Sequence, residues 1–344
     1  MPPPSNGRRF RFVAFNDLHV RSPQAVANGA KPGYPRANEK AAWAVAWARG
    51  ETPGADAADF IVSAGDLIQG EFDPMELDFQ YAQEAVLHPL GRPVLPCAGN
   101  HENRQGEGDV EKCRAYERSY GPDRWNYLYG VGGIYFLVVD TSGGHRFPDE
   151  VTARRNAFVA RSLDALRGKP TIVVTHVPLV VVRDEVVLVK SFGFTSWYVR
   201  DTAMLACIEA HADHVLAVLG GHLHLTGVCV RNGIFHVAPS GTASFPGDLA
   251  AFDVYPDRIE VAMHSVPSEV LGAGRTGNIH GTERHGCEFS DRAHANGLEY
   301  VRGTASERAF TIPLRGRVEG DLTLRVWNDP ARLDGPADHS IPLR

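Results

Sequence analysis

Apolar residues along this chain fall into short runs separated by longer amphipathic stretches. Five runs each read as a buried strand: Phe10 to Phe15, Asp59 to Ser63, Pro93 to Cys97, Thr171 to Val174 and Val215 to Leu219. Between them the spacing predicts helices. One runs from Arg36 to Ala48, with Ala, Trp and Val at helical intervals and Gly50 just past its end. A second starts at Asp73-Pro74, a cap residue followed by proline at the first helical position, and ends near His88 before Pro89. Further helices are predicted over Asp109 to Tyr120, Asp149 to Leu166 and Ser196 to His211, and a further strand over Ile134 to Val139. After His224 the rhythm changes. Val228 to Val230 and Ile234 to Val237 flank Arg231-Asn232-Gly233, and Asn-Gly is a strong hairpin signal. Strands are also predicted at Ala251 to Val254 and Arg258 to His264. From Val266 the pattern weakens into a polar stretch, with strands at Ala309 to Leu314 and Leu322 to Trp327. The chain therefore divides into a disordered leader (1–9), an α/β domain (10–265) and a C-terminal extension (266–344).

The residues just beyond each strand carry the chemistry. The five runs lead into Asp17-Leu18-His19, Gly65-Asp66, Gly99-Asn100-His101-Glu102, Thr175-His176-Val177-Pro178 and Gly220-Gly221-His222-Leu223-His224. Open α/β sheets bind ligands in the crevice at the carboxyl ends of their strands, so five such ends imply one polar site. Its donors are two carboxylates (Asp17, Asp66), one amide (Asn100) and four imidazoles (His19, His176, His222, His224). Mixed oxygen and nitrogen donors suit Mn, Fe, Zn or Co better than Ca or Mg alone. No cysteine joins them, which argues against a structural zinc site. Seven ligands are too many for one ion that keeps an open position. They suffice for two ions sharing a carboxylate, the arrangement that clamps both oxygens of an in-line displacement.

The ordered set Asp-x-His, Gly-Asp, Gly-Asn-His-Glu, lone His and Gly-His-x-His resembles the calcineurin-like metallophosphoesterases, in particular their small bacterial phosphodiesterases. The resemblance covers residues 10 to about 264. It implies a four-layer α/β/β/α sandwich of two mixed sheets, with the C-terminal extension outside the family pattern. It also implies that Asp17, His19 and His224 hold one metal, that Asn100, His176 and His222 hold the other, and that Asp66 bridges them. His101 would not be a ligand but would face the leaving-group oxygen, as general acid or charge stabiliser. A metal-activated hydroxide would attack phosphorus. There are two departures from the family pattern. Asn16 replaces a Ser or Thr, and Glu102 replaces the Asp common in cyclic-nucleotide phosphodiesterases, which points away from a cyclic substrate.

Candidates for substrate contact lie in the loops. Besides Asn100, Arg104 could grip a phosphate bidentately, or be a solvated loop residue. His145 and Arg146 sit in another loop after a strand. The segment 183–198, with Lys190, Phe192, Phe194, Trp197 and Tyr198, reads as a wall that stacks a base or ring, or as core. Asp140 reads as a turn residue, or as an acceptor behind the metal ligands, and truncation after residue 266 is expected to leave the metal site formed.

Composition narrows this further. A net charge of −6 argues against a long nucleic acid as substrate. No apolar run approaches membrane-spanning length, and the amino terminus carries no signal-peptide pattern. Five scattered cysteines argue against a disulfide framework and for a cytoplasmic setting. The reading is a dinuclear metal-dependent phosphoesterase, with Mn or Fe favoured. It acts on a nucleotide-like or other small diester, with a phosphomonoesterase or pyrophosphate-cleaving hydrolase as the alternative. A scaffold that had lost catalysis would lack a ligand or His101, and none is missing. A homo-oligomer is left open.

Overall fold

The computed structural model describes residues 7–103, 110–144, 147–184, 201–271 and 297–343. Within them the strands are, in chain order, β1 (Phe10–Phe15), β2 (Phe60–Ser63), β3 (Val94–Pro96), β4 (Tyr127–Val131), β5 (Ile134–Val138), β6 (Thr171–Val174) and β7 (Val215–Leu219). Then come β8 (Gly227–Arg231), β9 (Ile234–Ala238), β10 (Asp248–Val254), β11 (Arg258–Ser265), β12 (Ala309–Pro313), β13 (Thr323–Trp327) and β14 (His339–Pro342). They form two mixed sheets, ordered β12-β11-β10-β1-β2-β3 and β14-β13-β4-β5-β6-β7-β9-β8. β1, β2 and β3 are parallel in the first sheet, and β5, β6, β7 and β9 in the second.

The alternation of side chains along a strand decides the layering. In β1, Phe10, Phe12 and Ala14 face the second sheet, whereas Val13 and Phe15 face helices. Phe12 stacks on Phe252 at 4.4 Å within its sheet and meets Phe136 of the other sheet edge-on at 5.2 Å. Outside the first sheet lie the helices Ala37–Ala48, Glu76–Ala82 and Val110–Tyr120. Outside the second lie Asp149–Ala165 and Thr202–Ala210, packed over Leu137, Val173 and Val218. The result is the four-layer α/β/β/α sandwich.

Two expectations change. The helix predicted from Asp73-Pro74 begins at Glu76, with Met75 as its cap residue, so Pro74 belongs to the preceding turn. Nor does it stop before Pro89. A π-helical turn, Gln83–Leu87, hands on to His88–Leu90, and Pro89, which has no N–H to give to the ladder, falls just after that wider turn. The strands after residue 266 extend the two sheets. β12 pairs with β11 at the edge of the first sheet, and β13 pairs with β4 in the second. The tail also holds the chain just beyond His224, since Thr226 N donates to Val301 O at 2.8 Å.

Candidate metal centre

Asp17 and His19 follow β1, Asp66 follows β2, Asn100 follows β3, His176 follows β6, and His222 and His224 follow β7. Parallel pairing within each sheet brings these carboxyl ends to one edge of the sandwich. The backbone there is unusual. Asp17, His19, Asp66, His222 and His224 all have left-handed φ, between 48° and 70°. Non-glycine residues rarely adopt that conformation, and such strain collects at functional sites. Gly65 has φ of 90°, and a side chain there would lie 2.4 Å from His176 Nδ1, so only glycine lets the two loops meet.

The ligating atoms converge in two groups. In the first, His19 Nε2 and His224 Nε2 are 3.1 Å apart, and Asp17 Oδ1 lies 3.2 Å from His224 Nε2 and 3.7 Å from His19 Nε2. In the second, Asn100 Oδ1 is 3.0 Å from His176 Nε2 and 2.8 Å from His222 Nδ1. Asp66 stands between them, its Oδ2 3.1 Å from His176 Nε2 and 3.6 Å from His19 Nε2. His101 is adjacent, with Nε2 4.0 Å from the same oxygen. Asp17, His19, Asp66, His176 and His224 are buried.

Partners behind these atoms fix their aim. Asp17 Oδ2 accepts from His222 N at 2.9 Å and from Asn16 Nδ2 at 2.7 Å, so Asn16 orients the carboxylate. His176 Nδ1 bonds Ala64 O and His224 Nδ1 bonds Ser244 Oγ, which leaves each Nε2 facing the centre. Glu102 ties two ligand loops together. It accepts from Gly99 N and Asp66 N through Oε2, and from Leu67 N and Ile68 N through Oε1. Four backbone donors on one buried carboxylate explain an acidic residue at that place in the motif.

The charges are those of a cation site. Burial, aided by neighbouring His101, pushes His19 down to about 4, and burial with His176 pushes His222 down to about 3. Both imidazoles are therefore neutral and free to ligate near pH 7. Burial works against a charged Asp17 or Asp66, yet the facing histidines hold both carboxyls well below the usual range. His176 shows the converse. Burial opposes its protonation, but Asp66 raises it to about 10. Two carboxylates thus demand positive charge at the centre, and metal binding displaces such protons. Asp17 Oδ1, buried and without a hydrogen-bond donor, is a further sign that a cation fits here.

A model of the calcineurin-like phosphoesterase family matches residues 10–225. The chain belongs to that family. Its fold recurs in a dimetal phosphatase from Danio rerio, with 14% identity over 75% of this chain and 96% of that one and a TM-score of 0.53. A calcineurin-like phosphoesterase from Bacillus subtilis is 15% identical over 85% of this chain and 98% of its own, at a TM-score of 0.39. No match is found among curated proteins. As a calcineurin-like phosphoesterase the protein is a metal-dependent hydrolase of phosphate esters. Among the described residues no helix is long and apolar enough to cross a membrane.

The remaining candidates divide. Arg104, His145, Arg146 and the wall segment around Phe192 lie outside the described residues. Asp140 does serve as a turn residue: Oδ1 accepts from Ser142 N at 2.9 Å and from Ser142 Oγ at 2.6 Å. Tyr34 carries no motif, yet its ring lies 4.6 Å from that of His19 and 5.1 Å from that of His224. A tyrosine at the end of a Pro/Gly-rich loop gives no periodic signal, so only the fold could place it.

Proposed function

We propose that this phosphoesterase works with two metal ions and cleaves a small phosphodiester, nucleotide-like or otherwise. Asp17, His19 and His224 would hold one ion, Asn100, His176 and His222 the other, with Asp66 shared. The observation that carries this is the position of Asp66. Its Oδ1 accepts from His101 N at 2.8 Å, which leaves Oδ2 directed between His176 and His19. Nitrogen and oxygen donors without thiolate suit Mn, Fe, Zn or Co, and of these we take Mn or Fe as the pair. When bound, two such ions neutralise phosphoryl charge and lower the pKa of water towards neutrality.

The side chains themselves do the rest. His101 Nδ1 donates to Gln69 O, because a carbonyl can only accept. Burial opposes a second proton on that ring, but Asp66 and the Gln69 carbonyl raise its pKa. A second proton would sit on Nε2, the atom open to a leaving-group oxygen, and this geometry supports His101 as the general acid. Asn100 turns its amide oxygen to the centre and has its NH₂ group left to offer a substrate oxygen.

The test is hydrolysis of bis(p-nitrophenyl) phosphate against p-nitrophenyl phosphate by chelator-stripped, Mn-reconstituted protein. Restored activity with a higher kcat/KM on the diester is expected. A preference for the monoester would move the reading to a phosphatase, and no metal dependence on either would remove it.

A further inference from the structure

Resting on that reading, we infer that the cavity beside the metal centre binds an aromatic ester group of the substrate, one bearing a second anionic substituent. The cavity encloses about 660 Å³, a size typical of small-molecule sites. Trp125, Phe147 and Phe158 line it, and all three remain partly exposed. The helix Asp149–Ala165 adds Arg154, Arg155 and Arg161. Arg155 is engaged, pairing with Asp201 at 2.6 Å and sitting 5.6 Å over the Phe147 ring. Arg154 and Arg161 are exposed and have no hydrogen bond or ion pair among the described residues. With Phe158 they occupy one face of the helix, at spacings of three, four and seven.

The acidic residues of the lining do not cancel these cations. Glu117 accepts from Trp125 Nε1 at 3.0 Å, and Asp140 is turned onto Ser142. What remains is a set of aromatic walls with two unpaired guanidinium groups on one side. That chemistry fits a flat ring carrying an anion, because rings stack on aromatic side chains and guanidinium grips carboxylate or phosphate.

The cavity belongs to the same edge as the metal centre. Asn103, on its wall, follows Asn100 by three residues, so their Cα atoms are at most about 11 Å apart. Asp140, also on the wall, precedes Thr141, whose Oγ1 accepts from His176 N at 3.1 Å and Val177 N at 2.9 Å. Asn103 Nδ2 joins the two loops by donating to Ser142 Oγ at 2.7 Å. The wall therefore adjoins the loops that carry Asn100 and His176, and the inference places on it the ester substituent of a phosphoryl group held between them.

Calorimetric titration of Mn-loaded protein with stable phosphonates tests the inference without turnover. Phenylphosphonate should bind about 10-fold tighter than methylphosphonate, within the range for stacking a ring. Phe158→Ala should abolish that gain and leave methylphosphonate unchanged. A para-carboxylate on the ring should add about threefold. That increment should vanish in an Arg154→Ala/Arg161→Ala variant, whose exposed substitutions leave the melting temperature unchanged. Methylphosphonate binding with no phenyl gain, or equal weakening of both ligands by Phe158→Ala, would overturn the cavity's role alone. A carboxylate gain that survives loss of both arginines would overturn their part. If neither phosphonate binds in any variant, the two-metal diesterase reading and the cavity's role fall together.

Discussion

Arg308→Ala should destabilise the protein by about 3 kcal/mol, although Arg308 lies far along the chain from the metal-site motifs. Its Nη1 and Nη2 bond the two oxygens of Asp248 at 2.7 and 3.0 Å, and Nη2 also reaches Ser265 Oγ at 3.0 Å. Asp248 is fully buried. Without the guanidinium its carboxylate would keep, among the described residues, only the hydroxyls of Thr226 and Ser265 as side-chain donors. Stranding one member of a buried pair costs about 3–5 kcal/mol, and the lower end applies because Arg308 is 20% exposed and water can enter. Unfolding entropy of roughly 2.1 cal/mol/K per residue gives about 0.7 kcal/mol/K for the chain, so the melting temperature should fall by about 4 °C. Thr226 stands two residues after His224, and its carbonyl is held by Arg183, which also pairs with Glu307 of the tail. Metal retention against a chelator should therefore weaken together with stability. Near-UV circular dichroism on heating reads the first effect, and metal analysis after graded chelation the second. An Arg308→Met/Asp248→Asn variant should recover much of the loss, because no charge is left unpaired. A single Arg308→Ala variant melting within about 1 °C of the parent would refute the reasoning.

For His101→Ala, both metals should stay bound while turnover falls by about 10²- to 10⁴-fold, least for a p-nitrophenyl leaving group and most for an alkoxide. Loss of metal in that variant would instead make His101 a ligand. His236 is buried, which lowers its imidazole to about 4 from 6.5. The unfolded chain then binds the extra proton, so its stabilising contribution is full above pH 6.5 and is lost as pH falls towards 4. His236→Phe should flatten the stability curve over that window, as read by denaturant midpoints at pH 7, 6 and 5. An unchanged slope would show that His236 does not titrate there.

Much of this molecule is legible in its sequence because its strands are short, apolar and end in unusual residues. β1, β6 and β7 lie at the bounds their apolar runs predict, since a run such as Val215–Leu219, buried on both faces, leaves no competing periodicity. The convergence of Asp17, His19, Asp66, Asn100, His176, His222 and His224 accords with the rule that parallel strands deliver their ends to one edge. β4 is not legible. It contains Gly130, where a side chain would begin 3.0 Å from the Tyr135 ring and 3.4 Å from Trp327, so tertiary packing selects a residue that weakens the strand signal. The last strand of the tail is not legible for a related reason. β14, His339–Pro342, is exposed throughout and short, and only pairing with β13 makes it a strand. The clamp of Arg183, Glu307, Arg308 and Asp248 joins residues too far apart in sequence for any spacing rule.

The measurement that bears most directly on the central claim is the metal content of Mn-reconstituted parent and Asp66→Ala proteins, paired with diester hydrolysis. The account predicts two ions per chain in the parent. In the variant, whose fold is checked by near-UV circular dichroism, it predicts fewer ions and no turnover. Two ions and full turnover in a folded Asp66→Ala protein would contradict a shared carboxylate at the centre of this site.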